Sequence, residues 1–354
     1  MRVLVIGGTG FIGPHVVRRL VAQGHELTVF HRGQTEAELP QDVAHLHGDR
    51  ERLEHYRPAF ERIGPEVVVD VRPLTRSDSE QVMRVFQGVA RRVVALSSGD
   101  VYRAYGLLQR SEAGPLQALP IVESAELRST LFPYRGAVPR STDDPMRWVD
   151  DYEKILIERA VMEASDLPGT VLRLPMVYGP GDSNHRLFPY LKRMDDGRAA
   201  ILLDEGFAAW RWTRSYVENV AEAIALAVSN DRAAGQTYNV GEPQALTEAE
   251  WVAAIGAAAG WRGHVVRAPS DVLPPALRQS LNFDQHLETD TSRLRAELGY
   301  HETVSCDEAL RRTITWERAN PRQTIDPSQF DYAAEDALIA RLAAAHTGDS
   351  ACTC

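Results

Sequence analysis

Seven residues near the start of the chain form a glycine-rich loop that could hold phosphate groups. Gly7-Gly8-Thr9-Gly10-Phe11-Ile12-Gly13 contains the pattern G-x-G-x-x-G and stands between an apolar run and a segment with helical spacing. Such glycines allow a tight turn, a close approach of a pyrophosphate and close helix–strand packing, and the helix N-terminus supplies amide donors. The loop therefore predicts a dinucleotide-binding site. The expected contacts are Gly7, Thr9, Gly10, Phe11, Ile12 and Gly13.

The residues after the second apolar run indicate which dinucleotide is bound. A site for NAD usually has Asp or Glu here, which holds the 2′-hydroxyl of the ribose. The chain reads Phe30-His31-Arg32-Gly33 and has no acid at this place. The guanidinium of Arg32 can pair with a 2′-phosphate, although a solvated loop arginine is the alternative. The sequence favours NADP(H) over NAD(H), and it indicates a packing or hydrogen-bonding role for His31.

Length, charge and cysteine content limit the classes of protein to which this chain can belong. The 354 residues suggest one large domain with a smaller partner. With 39 Lys and Arg against 49 Asp and Glu, the formal charge of −10 argues against nucleic acid as a partner. No apolar run reaches the length of a membrane span, and the three cysteines predict a reducing, cytoplasmic setting. Two of them, Cys352 and Cys354, cannot complete a tetrahedral site alone, so no metal site is expected.

Short apolar runs alternate with helical segments, which is typical of a parallel sheet covered by helices on both faces. The sequence therefore predicts an α/β fold of the doubly wound (Rossmann) type. The predicted strands include Val3–Ile6, Leu27–Phe30, Val67–Val69, Val93–Leu96 and Thr170–Leu174. The predicted helices include 14–23, 78–90 and 145–164, the last starting at Asp144-Pro145, and one near 248–259 that a Thr247 capping box opens.

The same alternation suggests how the chain divides into domains. We expect residues 1–175 and roughly 207–242 to form the dinucleotide-binding domain. Within it, residues 103–149 contain five prolines and six arginines and predict an irregular insertion over the site. Roughly 176–206 and 243–335 would form a smaller C-terminal substrate domain, and 336–354 a tail.

Several motifs together resemble the extended short-chain dehydrogenases/reductases, the NAD-dependent epimerase/dehydratase family. Over residues 1–260 they are the glycine loop, His47-Gly48-Asp49, Ser97 to Tyr102, Lys154 to Glu158, Leu172 to Gly181, and Tyr238 to Gly241. The resemblance implies hydride-transfer chemistry of the epimerase, dehydratase or reductase type. It implies that Asp49 contacts adenine, that Pro175 lies beside the cofactor, and that Lys154 holds the nicotinamide ribose. It also implies that Ser98 polarises a substrate oxygen.

One departure from the family pattern concerns the catalytic tyrosine, which stands four residues before the lysine in Y-x-x-x-K. Here that position is Asp150, and Tyr152 lies two residues later. On a continuous helix, positions 150 and 154 are about 40° apart and positions 152 and 154 about 200° apart. We therefore expect Asp150 to face Lys154 as acid or base and Tyr152 to point away. Alternatively, Tyr102, Tyr105 or Tyr134 supplies the missing hydroxyl.

The substrate is expected to be a small molecule, anionic or sugar-like. Arg186, Arg211 and Arg214 lie in segments that resemble the family's substrate-binding region, with Tyr134 contributed by the insertion. Surface arginines beside core tryptophans are an equally good explanation of these segments. A homodimer is possible. The alternative function is a dinucleotide-bound protein without redox chemistry, like RNA-binding relatives of the family.

Overall fold

The computed structural model describes residues 1–35 and 37–349, with side chains described up to residue 344. A parallel sheet of seven strands forms its centre, in the order β3-β2-β1-β4-β5-β6-β10. These strands are β1 (Arg2–Ile6), β2 (Glu26–His31), β3 (Ala44–His47), β4 (Val67–Asp70), β5 (Arg92–Ser98), β6 (Gly169–Leu174) and β10 (Thr237–Asn239). The chain leaves β1 toward β2 on one side and returns to β4 on the other. The strand order thus reverses between β1 and β4, where sheets of this type bind ligands.

Helices cover both faces of the sheet, so the predicted doubly wound α/β architecture is confirmed. The helices are α1 (Gly13–Ala22), α2 (Arg57–Ile63), α3 (Arg76–Phe86), α4 (Arg103–Leu108), α5 (Lys154–Met162), α6 (Phe188–Asp195), α7 (Glu205–Ala209), α8 (Val217–Ser229), α9 (Glu248–Ala259), α10 (Ser292–Leu298), α11 (Cys306–Ala319) and α12 (Tyr332–Asp349). Alternate residues of β1 enter different cores: Val3 and Val5 pack in the layer of α1 and α8, and Leu4 and Ile6 pack with Phe60.

The remaining strands form two small parallel pairs beside the main sheet. They are β7 (Met176–Tyr178) with β9 (Arg214–Tyr216), and β8 (Ala200–Asp204) with β11 (His264–Ala268). The capping box at Thr247 is confirmed, since its hydroxyl accepts from the Glu250 amide and the Glu250 carboxylate accepts from the Thr247 amide. After α4, the insertion continues without a regular helix as far as a short 3₁₀ turn, Arg147–Asp151.

The insertion is attached to the C-terminal part of the chain. The Asn282 amide donates to the carbonyl of Leu108 (2.8 Å), and Arg110 donates to the carbonyl of Ser280 (3.0 Å). Ile121 is buried and pairs with Thr289 in an isolated parallel bridge. The part of the insertion between Leu108 and Ile121 is therefore held against the C-terminal part of the chain.

The prediction of one continuous helix over 145–164 is wrong. The 3₁₀ turn ends at Asp151, Tyr152 (φ −66°, ψ 121°) and Glu153 (φ −158°, ψ 102°) are extended, and α5 begins only at Lys154. The buried Glu153 carboxylate explains the break. It caps α5 by accepting from the Ile155 amide (2.9 Å), and it forms an ion pair with the buried Arg128 (3.1 Å). These contacts hold the backbone out of the helical conformation.

The C-terminal helix α12 is attached to the rest of the chain through the buried ion pair Glu335–Arg193 (2.6 Å). Its start at Tyr332 lies before the predicted tail boundary at 336. Cys352 and Cys354 lie outside the described residues. Within the described part of the chain, no helix is long and apolar enough to cross a membrane.

Candidate active site

The glycine loop occupies the end of β1, where the strand order reverses. Gly7 has a φ of +83°, which L side chains rarely adopt, and a Cβ on Gly13 would lie 2.6 Å from the Cα of Gly8. Gly10 is different, because a Cβ there would meet no atom within 4 Å. Two glycines are thus required by the fold, and the third opens onto the groove described next. The loop has the shape that a pyrophosphate site needs.

An open groove of about 700 Å³ extends from this loop along the ends of β1, β2 and β4. Arg32, Asp49, Arg72 and Trp148 line it, the last supplied by the insertion. Arg32 is exposed and forms no ion pair among the described side chains, while Asp49 accepts from the Glu51 amide (3.0 Å). Burial, and next the positive charge of Arg32, lower the pKa of Arg72. Arg32 and Arg72 therefore bring two positive charges close together on a groove that Asp49, Glu51 and Asp78 also line, and these two guanidinium groups could pair with a phosphate.

Lys154 contacts the segment after β4, in which Arg72 and Leu74 line the groove. Its Nζ donates to the carbonyls of Pro73 (2.6 Å) and Leu96 (3.0 Å), and the side chain is buried. Burial lowers its pKa to about 8, although the nearby carboxylate of Asp100 opposes that shift. Glu158 is not the partner of Lys154, because it pairs with Arg173 (2.7 Å). The contact of Lys154 with a nicotinamide ribose stays a prediction.

Tyr152 lies beside Lys154, contrary to the helix-phase prediction. Lys154 Nζ is 5.5 Å from the centre of the Tyr152 ring, and the Tyr152 hydroxyl donates to Asp100 Oδ2 (2.9 Å). Ser98 ends β5 and accepts from the Asp100 amide (3.2 Å), so Ser98 and Tyr152 both contact Asp100. The predicted separation of about 200° between Tyr152 and Lys154 assumed a continuous helix. It does not apply, because the backbone is extended at Tyr152 and Glu153. Ser98, Tyr152 and Lys154 therefore form one group.

Asp100 also belongs to this group, and neither it nor Tyr152 was predicted from the sequence as a site residue. Its side chain is buried, and its Oδ2 accepts from the hydroxyls of Tyr152 and Tyr134 (3.0 Å). Its Oδ1 is also buried and has no hydrogen-bond partner. Burial raises the pKa of Asp100, and the positive charge of Arg128 opposes this. The available signal was an acid two residues after Ser98, where a parallel strand ends.

A chain of tyrosines extends from Asp100 into the insertion. The Tyr105 hydroxyl donates to the Tyr134 hydroxyl (3.1 Å), which donates in turn to Asp100. Burial, then Asp100, raise the pKa of Tyr152 well above 10. The site therefore presents protonated phenols around one buried carboxyl group, a set of groups that can pass a proton to a ligand oxygen.

Two predicted catalytic residues are not brought into this group. The buried Asp150 carboxylate accepts from the Arg140 amide (2.7 Å) and pairs with the Arg140 and Arg147 side chains. The backbone N–H of Arg140, followed by these guanidinium groups, lowers the pKa of Asp150. The expectation that Asp150 faces Lys154 is wrong, because the helix on which it depended begins after Asp150.

Tyr102 is also directed elsewhere. It is fully buried, and its hydroxyl donates to Asn239 Oδ1 (2.6 Å) and accepts from Arg173 (2.9 Å). Burial raises its pKa to about 12. Both partners are inside the protein, so the Tyr102 hydroxyl joins the segment after β5 to β6 and β10 and cannot reach a ligand in the groove.

The arginines predicted to bind substrate mostly have partners in the protein. Arg214 is buried, pairs with Glu248 and lies 4.7 Å from the centre of the Trp251 ring. Arg186 pairs with Asp182 (2.6 Å). Arg211 is 38% exposed, pairs with Glu250 (3.6 Å) and donates to a backbone carbonyl. All three arginines thus have a carboxylate partner, and Arg186 (32% exposed) and Arg211 remain partly accessible.

The loop after β6 approaches the glycine loop. Pro175 separates β6 from β7, and the carbonyl of Pro180 contacts His15 Nε2 (3.1 Å). A Cβ on Gly181 would lie 3.6 Å from the Phe11 ring. These contacts place the segment at the edge of the sheet where the cofactor site is expected, and a direct role for Pro175 stays a prediction.

The chain is similar to known proteins along most of its length. A model of the NAD dependent epimerase/dehydratase family matches residues 3–241. The 2′-dehydrokanamycin reductase of Streptomyces kanamyceticus is 28% identical over 276 residues, covering 77% of this chain and 70% of that protein. The chloroplast stem-loop binding protein of 41 kDa b of Arabidopsis thaliana is 21% identical over 324 residues, covering 87% and 77% respectively. The structure of a UDP-glucose 4-epimerase from Thermus thermophilus in complex with NAD matches 90% of this chain and 100% of that one, with a TM-score of 0.62 and 24% identity.

Proposed function

Because this chain belongs to the NAD-dependent epimerase/dehydratase family, an extended short-chain dehydrogenase/reductase, we propose that it interconverts a ring hydroxyl and a carbonyl in a sugar-like molecule, with NADP(H) as cofactor. The observation that carries this proposal is the position of the Tyr152 hydroxyl. It donates to Asp100, whose amide donates to Ser98, and the Tyr152 ring lies beside the buried Lys154. This arrangement supplies the phenol that the motif spacing had suggested was missing.

The residues around the groove fit the proposed cofactor. The open space at Gly10 and the N-terminus of α1 suit the pyrophosphate, and Lys154 suits the nicotinamide ribose. The absence of an acid after β2, together with the exposed guanidinium of Arg32, favours a 2′-phosphate and therefore NADP(H). When bound, the nicotinamide supplies or accepts a hydride.

The protein's own residues handle the proton. The Tyr152 and Ser98 hydroxyls bind the reacting oxygen, and Tyr152 donates its proton when a carbonyl is reduced or accepts one when an alcohol is oxidised. A tyrosinate beside an ionised Asp100 would be strongly disfavoured. We therefore infer that a proton on Asp100 accompanies turnover, and the raised pKa of that carboxyl group is consistent with this role.

A sugar-like substrate is favoured, and the arginines do not require it to be anionic. The three arginines on which the expectation of an anion rested each lie within ion-pair distance of a carboxylate of the protein, from Asp182, Glu248 or Glu250. Hydroxyl groups of tyrosines surround Asp100 and suit a polyhydroxylated ring. The names of two similar proteins, a dehydrokanamycin reductase and a UDP-glucose epimerase, both refer to sugar-containing molecules.

The test is a hydride-exchange assay with the purified chain. NADPH and NADH are each offered with a panel of free and nucleotide-linked keto-sugars, and cofactor oxidation and product mass are followed. We expect turnover with at least one ring ketone and a preference for NADPH. Tyr332→Phe serves as a matched control for Tyr152→Phe, since it removes a hydroxyl that contacts Asp196 far from Tyr152 in the sequence. Cofactor binding without hydride exchange, together with binding of a stem-loop RNA, would favour the non-redox alternative.

A further inference from the structure

Three histidines cluster at the edge of the main sheet, beside the proposed 2′-phosphate position. His31 ends β2, while His45 and His47 lie on β3, and the strand register pairs His31 with His47. Residues two apart on a strand share a face, so all three imidazoles project to the same side. They line a cavity of about 610 Å³ together with Arg32 and Thr9.

The nitrogen atoms of the cluster are close enough to share one ion. One ring nitrogen from each histidine lies within 4.8 Å of the other two. His31 Nε2 and His45 Nδ1 are 2.9 Å apart, and the ring centres of His31 and His47 are 4.7 Å apart. Two imidazole ligands at about 2.0–2.1 Å from a tetrahedral zinc ion are roughly 3.3 Å apart, so small side-chain rotations would suffice.

The hydrogen bonds around His31 show which of its nitrogens a metal ion would bind. The Gly33 amide contacts His31 Nδ1 at 3.3 Å, which places the His31 proton on Nε2, between the two rings. A metal ion bound at Nε2 would displace that proton. The proton would then occupy Nδ1, and the 3.3 Å hydrogen bond from the Gly33 amide would be lost.

We propose that His31, His45 and His47 form a binding site for one divalent transition-metal ion, of the zinc, cobalt or nickel class. Three neutral imidazoles without a carboxylate are typical ligands for these ions and leave a fourth position, which here faces the cavity. A water molecule or an anionic oxygen would complete the coordination. The ion would add positive charge beside Arg32. The inference does not rest on the proposed reaction, because it concerns the protein without cofactor.

The experiment is a titration of cofactor-free protein with Co²⁺, followed by its d–d absorption and by calorimetry. Cys352 and Cys354 are replaced by serine in every sample, so that tail thiols cannot supply ligands. We expect one equivalent of Co²⁺ to bind and Zn²⁺ to displace it. His45→Ala and His47→Ala, both at exposed positions, should each weaken binding by at least the roughly 10–100-fold typical of losing an outer-shell partner.

His301→Ala is the matched control, since that exposed imidazole contacts the backbone carbonyl of Gly299 and lies outside the cluster. It should leave Co²⁺ affinity unchanged. Circular dichroism confirms that each variant is folded. Absence of saturable Co²⁺ binding, or equal affinity in the parent, His45→Ala and His47→Ala, would overturn the proposal. Arg32→Ala separates it from the proposed cofactor preference, because that change should weaken NADPH and leave three metal ligands in place.

Discussion

Removal of one hydroxyl group, in Tyr152→Phe, tests the central feature of the site. The phenol donates to Asp100 Oδ2 at 2.9 Å and lies next to Ser98 and Lys154. The substitution keeps the ring, and therefore the contact with Lys154, while it deletes the proton donor. Cofactor affinity should change little.

The expected loss of turnover follows from the role of the hydroxyl. A positioned general acid or base contributes about 10²–10⁴-fold in rate, which corresponds to about 2.7–5.4 kcal/mol of activation free energy. The variant also loses a hydrogen bond to a buried carboxyl group, which costs about 1.5–3 kcal/mol of folding free energy if Asp100 is ionised. Turnover must therefore be normalised to the concentration of folded protein.

The assay measures kcat with the best ketone found, and cofactor Kd by fluorescence titration, for Tyr152→Phe, Asp150→Asn and Tyr332→Phe. Only Tyr152→Phe should lose the catalytic factor while retaining cofactor binding. Asp150→Asn disturbs the contacts with Arg140 and Arg147, so its effect should fall on stability. If Tyr152→Phe keeps full kcat while Asp150→Asn loses 10²-fold or more, the assignment drawn from the structure is refuted and the one from the motif spacing is restored.

Three further substitutions probe the charged groups of the site. Arg32→Ala should weaken NADPH by about 1.5–3 kcal/mol more than NADH in calorimetric titrations, because only NADPH carries the 2′-phosphate; equal losses for both would contradict the NADP(H) preference. Asp100→Asn removes a charge that raises the pKa of Tyr152. The fall in kcat at alkaline pH reports loss of the phenol proton, and it should therefore move to lower pH. An unchanged pH profile would count against the contact between Asp100 and Tyr152. Lys154 has a pKa lowered to about 8, so its positive charge is present below that pH and is lost above it. Cofactor affinity should therefore decline as the pH rises through about 8, and a Lys154→Gln variant should show a flat profile; the reverse result would show that Lys154 does not hold the cofactor.

The cofactor half of the site was predictable because it is local in sequence. A strand, a glycine loop and a helix are consecutive, and the requirement for glycine at Gly7 and Gly13 arises within this unit. The parallel order of the strands likewise follows from the alternation of apolar runs and helices. Arg32 could be singled out because it directly follows a strand that ends at the same edge.

The catalytic half depended on contacts between distant parts of the chain. Motif spacing alone selected Asp150, because it assumed that the helix of Lys154 continued backward through Asp150. Because Glu153 is buried against Arg128, that helix begins only at Lys154. The extended backbone before it turns Tyr152 toward Asp100. Contacts between distant residues also pair Arg214 with Glu248. The pairing of β2 with β3 likewise places His31 beside His47. The sequence by itself thus determined the fold class and the dinucleotide loop, whereas the tertiary structure decided which side chains meet, because helix phase is a local property and buried ion pairs can override it.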